Sequence, residues 1–124
     1  MTYLATSINE SPVIVEKAGA LIADVRGKAV KFDTNGNIVL AGNGEAAIGV
    51  GIMTNDENIT VGADVHVQIK DIGLVRAGAA VKKGDTLQAD ATGSLITASS
   101  GKAVAIALDA ATAAGVYIKA IILK

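Results

Sequence analysis

The sequence predicts an all-β fold, a small antiparallel β-barrel or β-sandwich built from two copies of one glycine-punctuated unit. Two observations predict it. Short apolar runs alternate with turn signals at near-regular spacing, and glycines recur at the same intervals in both halves of the chain. Short, evenly spaced strands are typical of small closed sheets, so a barrel is the expected form.

The repeat is visible in the spacing of its glycines more than in sequence identity. Three glycines of the first half are separated by intervals of nine and eight residues, and three glycines of the second half repeat these intervals at an offset of 57. Glycine accepts the positive φ that tight turns require, so each position is a predicted structural turn. The predicted turn residues are Gly27, Gly36, Gly44, Gly84, Gly93 and Gly101.

Aligning the chain with itself divides a single β-domain into three segments. Residues 18–76 form the first predicted unit, residues 77–124 form the second, and residues 1–17 precede the repeat as an arm. The first ten residues of this arm have no counterpart in the repeat, and they carry the apolar side chains of Tyr3, Leu4 and Ile8. We expect an extended arm that adds to a neighbouring surface, the alternative being a frayed terminus.

Local patterns predict individual strands. The dipeptide Asn35-Gly36 lies between residues 30–33 and 37–40 and is a strong hairpin signal, because both turn residues tolerate positive φ. Residues 65–69 alternate between apolar and polar side chains, which is typical of a half-buried strand. Both segments are therefore predicted to lie in antiparallel sheets.

The last segment, residues 116–123, is apolar on both faces of the predicted strand. One face consists of Tyr117, Ile121 and Leu123 together with Lys119, and the opposite face is aliphatic. A strand that is apolar on both sides is buried between layers or lies in a subunit interface. We therefore predict that Tyr117, Ile121 and Leu123 contact another copy of the chain.

Composition limits the class of function. Apolar residues make up 51% of the chain, but the only aromatic residues are Tyr3, Phe32 and Tyr117, so the core is thin and partner chains are expected to add buried area. Every apolar run is too short for a membrane helix, so we predict no membrane partner. Neither Lys nor Arg occurs between Lys31 and Lys70. Because phosphate binding needs clustered Lys and Arg, we predict no nucleic-acid partner.

Candidate chemical sites are few. His66 is the only histidine, and its position on an alternating strand predicts a solvent-facing or interface residue; a small hydrolase that uses His66 with a serine is the remaining enzymatic hypothesis. Residues 33–37 resemble the opening of a calcium loop without its glutamate. Residues 81–87 resemble the turn of biotinyl and lipoyl carrier domains, but the expected tip, residues 90–93, has no lysine. We predict no catalytic, metal-binding or cofactor-binding residue and no cofactor.

The second half has a characteristic order of small and aliphatic residues. Residues 77–81 (AGAAV) are followed by 83–85 (KGD), Gly93, 103–109 (AVAIALD) and 114–115 (AG). This order resembles the small capsid decoration, or cement, proteins of tailed bacteriophages. Through the repeat, the resemblance extends loosely to the first half.

The resemblance implies a structural protein of the virion. Members of that group look like small β-domains, commonly trimers, that sit on the outer capsid surface and clamp neighbouring major capsid subunits. It implies that the chain is made in the host cytoplasm and that its partners are the major capsid protein and copies of itself. The resemblance carries over no functional residue. From the arm's own residues, we predict that Tyr3, Leu4 and Ile8 contact the capsid. A head-fibre or tail-associated module that binds the host surface is the alternative.

Overall fold

The computed structural model of the protein describes residues 11–123, and these residues form twelve β-strands and no helix. The all-β prediction is therefore confirmed. In chain order the strands are β1 (Val13–Lys17), β2 (Ile22–Ala23), β3 (Ala29–Phe32), β4 (Ile38–Leu40), β5 (Gly49–Gly51), β6 (Asn58–Ile59), β7 (Asp64–Gln68), β8 (Asp71–Arg76), β9 (Thr86–Ala89), β10 (Leu95–Thr97), β11 (Ala105–Ala107) and β12 (Tyr117–Ile122).

Ten of these strands form two antiparallel sheets of five strands each, and β2 pairs with β6 in a small third sheet. The first sheet has the order β1-β7-β5-β3-β4, and the second, read from its own first strand, has the order β8-β12-β11-β9-β10. In each half the first strand pairs with the last one, and the opposite edge is a hairpin, β3-β4 or β9-β10. The two halves therefore have the same topology.

The strands predicted from the Asn35-Gly36 turn and from the alternation of residues 65–69 are both present. β3 and β4 pair across the predicted hairpin, with Val30 opposite Leu40. In β7, Val65 and Val67 are completely buried, whereas the polar residues between and beside them are partly or fully exposed. β12 has the same alternation, with Ile118 buried on the inner face.

The barrel expectation is wrong, because the two sheets are arranged as a sandwich-like fold and neither closes within residues 11–123. In each half, one isolated bridge joins the residue after the first strand to the second strand of the hairpin. Ala18, after β1, is bridged to Ile38 of β4, and Ala77, after β8, is bridged to Leu95 of β10. The chain bends directly after each of these alanines, at residues 19–20 and 78–79. A continuous ladder of hydrogen bonds, which closure requires, cannot form over one residue.

Two aliphatic cores hold the sheets together, and no aromatic side chain belongs to either core cluster of the described residues. The first core lies on one face of the first sheet and is built around Val30, Ile38 and Val65. The second core lies under the second sheet, and Ala29 and Val50 of the first sheet also belong to it. The second half therefore packs on the face of the first sheet that carries these two residues.

Sheet membership changes between β7 and β8. The part of the predicted arm within the described residues includes β1, which pairs with β7 over its whole length. Likewise β8, placed in the first unit by the sequence, pairs with β12 of the second sheet. Asp71, at the crossing, has a φ of +67°. We therefore propose that the two units meet at residues 69–70, and the remainder of the arm, residues 1–10, lies outside the described residues.

Candidate functional site

Most of the predicted turn glycines adopt the backbone conformation that glycine favours. A positive φ is found at Gly27, Gly36, Gly44, Gly84 and Gly93, with values between 70° and 92°. Gly101 is not among the positive-φ glycines, and its Cα lies 3.1 Å from the position of a Cβ added to Gly44. Glycine is needed at position 101 because the two halves approach closely there and leave no room for a side chain. A positive φ is not the reason.

The carboxylates at the two hairpin turns are occupied by the turns themselves. Asp33 Oδ1 accepts hydrogen bonds from the backbone N of Asn35 at 2.8 Å and of Asn37 at 3.0 Å. In the second half, Asp90 Oδ1 accepts from Thr92 N and from Thr92 Oγ1, each at 2.8 Å. Such Asx turns account for these residues without a cation.

His66 lines a shallow depression of about 300 Å³ formed mainly by the loop between β5 and β6 and by β7. Asn55 fixes the backbone there: its Oδ1 accepts from His66 N at 2.9 Å, and its Nδ2 donates to His66 O at 2.7 Å. No serine is among the described residues that line the depression, so the structure does not supply His66 with the nucleophile of the hydrolase hypothesis.

Within residues 11–123, no group of three or more His, Asp or Glu side chains is arranged to hold a metal ion. The same part of the chain contains no helix long and apolar enough to cross a membrane.

Two surface carboxylates are held by lysines. Lys31 Nζ donates to both oxygens of Glu45 at 2.8 Å, and Gly42 N donates to Glu45 Oε1 at 2.6 Å. The lysine hydrogen bond, with the backbone hydrogen bond as the second cause, lowers the pKa of Glu45 below its usual value. A hydrogen bond from Lys17 lowers the pKa of Asp64 in the same way. Both pairs lie on the first half and are exposed, so each stabilises the fold only slightly.

The outer face of the second sheet carries an uncovered row of three isoleucines, which we call the isoleucine row: Ile72, Ile121 and Ile106. Register places them side by side, because Ile121 of β12 is opposite both Ile72 of β8 and Ile106 of β11. Ile72 is 59% exposed and Ile121 37% exposed, and Ile106 is half-buried. Leu74 of β8, which is 42% exposed, widens the apolar surface beside the row.

The predicted interface residues Tyr117, Ile121 and Leu123 do not have equal access to a partner. Ile121 is in the centre of the isoleucine row. Tyr117 is half-buried, and its ring lies 3.0 Å from the position of a Cβ on Gly27 in the first half. Leu123, also half-buried, follows β12 and donates its backbone N–H to Val104 O at 2.9 Å. Their role as an interface remains a prediction.

Sequence reasoning missed the rest of this surface. The spacing of Ile72 and Leu74, two residues apart in β8, was a sequence signal for an apolar strand face. The sequence around Ile106 contains no such signal, because a single isoleucine in an alanine-rich strand does not show which face is apolar. The three isoleucines come from strands far apart in the chain, and they meet only through strand pairing.

Comparison with known proteins places the chain in a family. Residues 33–122, from the β3–β4 hairpin to the end of β12, match the family model of phage cement proteins. The chain belongs to the phage cement protein family. It is a structural, capsid-associated protein of the bacteriophage virion, and the predicted resemblance is confirmed.

The fold also has a solved counterpart. The crystal structure of the N base of the head fiber protein gp8.5 of bacteriophage phi29 is similar to this chain with a TM-score of 0.67. The similarity covers 90% of this cement-family chain and 92% of the phi29 chain, at 17% sequence identity. At that identity the likeness concerns the fold. No curated protein matches the sequence.

Proposed function

We propose that this cement-family chain binds the outer surface of the major capsid lattice as a homo-oligomer, a trimer in the simplest case, and stabilises the phage head. The family match over residues 33–122 carries the proposal. Two features of the described residues support it. The described residues form two small aliphatic cores, and they leave one apolar sheet face partly exposed.

The proposed role needs a rigid scaffold and a surface for attachment, and it needs no catalysis. Turns closed by backbone hydrogen bonds, such as Gly36 N to Asp33 O at 3.1 Å and Gly93 N to Asp90 O at 3.2 Å, supply the rigidity. We propose that the protein is not an enzyme. His66→Ala should accordingly leave capsid binding unchanged, because Asn55 holds the backbone of residue 66 whatever its side chain.

We further propose that residues 1–10 attach the oligomer to the shell. The described chain begins beside the end of β7: Pro12 O accepts from Ile69 N at 2.7 Å. Ten residues span at most about 34 Å when extended, which is long enough to reach a neighbouring subunit. The apolar side chains of Tyr3, Leu4 and Ile8 would supply the contacts.

Co-sedimentation tests the function directly. Purified protein is mixed with expanded capsids, with unexpanded shells and with host cells, and bound protein is measured in each pellet. We expect saturable binding to expanded capsids, with bound protein resisting competition by an unrelated β-protein. Failure to bind any capsid would refute the proposal.

A second candidate function is the base of a head fibre, which the fold likeness to the phi29 head fiber N base favours. A cement protein stabilises the shell, whereas a fibre base only needs to be anchored on it. Heating capsids with and without bound protein separates the two, because a raised temperature of shell opening supports the cement role and an unchanged temperature supports the fibre base.

A further inference from the structure

The repeat offers an internal comparison for the isoleucine row. In the first sheet the corresponding cross-strand row is Val13, Gln68, Val50 and Ala29, joined by the pairs Val13 with Gln68, Gln68 with Val50, and Val50 with Ala29. In this sheet Val50 is 1% exposed and Ala29 is not exposed at all, because the second half packs on them.

The same positions in the second sheet are open. Ile106 and Thr86 replace Val50 and Ala29, and they are paired with each other as those residues are. Ile106 is half-buried and Thr86 is exposed. Among residues 11–123, a face that is covered in one copy of the unit is therefore partly exposed in the other.

The partly exposed face carries the larger aliphatic side chains. Ile121 occupies the position of Gln68, and Ile72 and Leu74 occupy those of Val13 and Val15. An exposed sheet face normally carries polar residues. An apolar surface of several neighbouring aliphatic side chains marks a contact with another protein.

Charge indicates which surface covers it. The outer face of the second sheet includes Lys119 of β12, which is exposed and lies opposite Leu74. Residues 71–124 carry six Lys and Arg against four Asp and Glu, whereas residues 11–70 carry five against seven. Packing two second sheets face to face would bring like charges together, but packing a second sheet on a first half brings opposite charges together.

We propose that the outer face of the second sheet binds the acidic first half of another copy, so that copies associate head to tail through the isoleucine row. This proposal rests on the homo-oligomer proposed above and assigns its interface. A head-to-tail contact leaves each copy with one donor and one acceptor surface, and it closes into a ring when the rotation between copies permits.

Sedimentation velocity over micromolar concentrations tests the interface with matched variants. Ile121→Gln installs the residue of the equivalent position in the first sheet, and Leu74→Asp charges the edge of the face. Val116→Asp is the matched control, because Val116 lies in the second half directly before β12, in the opposite strand phase from Ile121, and is 37% exposed, as Ile121 is. We expect the wild-type chain and Val116→Asp to form the same oligomer, and the other two variants to weaken self-association about tenfold or more.

Several results would overturn the proposal. A wild-type chain that stays monomeric would mean that the face is covered by residues 1–10 of its own chain or by the capsid alone. Oligomers unaffected by Ile121→Gln and Leu74→Asp would place the contact elsewhere. The chain has no cysteine, so Ile121→Cys is a clean probe: a disulfide-linked dimer formed in high yield would show a face-to-face contact and contradict the head-to-tail arrangement.

Capsid co-sedimentation of the same variants separates this proposal from the proposed function. Loss of oligomers together with weakened capsid binding supports both. Oligomers that depend on the isoleucine row but bind no capsid support the interface and refute the capsid role. Capsid binding by a chain that is monomeric in solution supports the capsid role and refutes the interface.

Discussion

Gly44 and Gly101, which occupy the same position in the two repeats, pack against each other where the two halves of the protein meet. A Cβ on Gly44 would lie 3.1 Å from Gly101 Cα. Backbone hydrogen bonds surround the contact, because Gly44 N donates to Ala89 O at 2.8 Å and Gly44 O accepts from Lys102 N at 2.9 Å. The junction therefore depends on two missing side chains.

Replacing Gly101 with alanine should lower the free energy of unfolding by about 1 to 3 kcal/mol. A Cβ at this position would overlap Gly44 and lie 2.7 Å from Gln88 Oε1, which itself accepts from Gly101 N. Urea denaturation followed by circular dichroism measures the change. Gly36→Asn is the control, because a Cβ on Gly36 meets nothing within 4 Å and asparagine tolerates a φ of +79°. Equal losses for the two variants would contradict the importance of close packing.

Replacing Asn55 with alanine should destabilise the first half by about 1 to 3 kcal/mol, because His66 N would lose its hydrogen-bond acceptor and His66 O would keep only the donor Ile52 N. Asn55 is only 7% exposed, so water does not readily take its place. Thermal unfolding measures the effect. Asn58→Ala, at an exposed position of β6, should change stability by less than about 0.5 kcal/mol. A neutral Asn55→Ala would show that the loop does not need this clamp.

Acid should remove the contribution of the Glu45–Lys31 pair to the free energy of unfolding. Because the pKa of Glu45 is lowered in the folded protein, the pair stabilises the fold above the usual pKa of Glu45, and this contribution is lost as the pH falls through the folded pKa. Urea unfolding at a series of pH values should therefore show Glu45→Gln less stable than wild type near neutrality, with the difference disappearing in acid. Lys31→Met should behave in the same way, and raised salt should reduce the difference, since the pair is exposed. A difference that persists in acid would contradict this origin.

Deleting residues 1–10 should weaken capsid binding without unfolding the protein. The described strands begin at Val13, so every strand pair of both sheets remains in the shortened chain. Co-sedimentation with expanded capsids measures binding, and circular dichroism confirms the fold. A full-length variant with Tyr3, Leu4 and Ile8 changed to serine tests whether the apolar side chains act in the attachment. Unchanged binding by both proteins would remove the arm from the proposed mechanism.

Much of the local structure was predictable from single features of the sequence. Asn35-Gly36 fixes the β3–β4 hairpin, because both residues accept the backbone geometry of the turn. Residues 65–69 gave β7 through a period of two. The glycine spacing indicated the repeat, and the two sheets have the same strand order. The hairpin and strand signals involve residues close in the chain, where steric and hydrogen-bonding preferences are local, and each glycine of the repeat marks a local turn or close approach.

The sequence by itself determined the all-β class and the family, and its glycine spacing indicated the repeat. Only the tertiary structure decided that the sheets form a sandwich-like fold, that β8 joins the second sheet, and that Ile72, Ile106 and Ile121 form one exposed row. The physical reason is that strand pairing depends on contacts between residues distant in the chain. Local periodicity gives the two faces of a strand, but which face stays uncovered depends on what the rest of the chain packs against it.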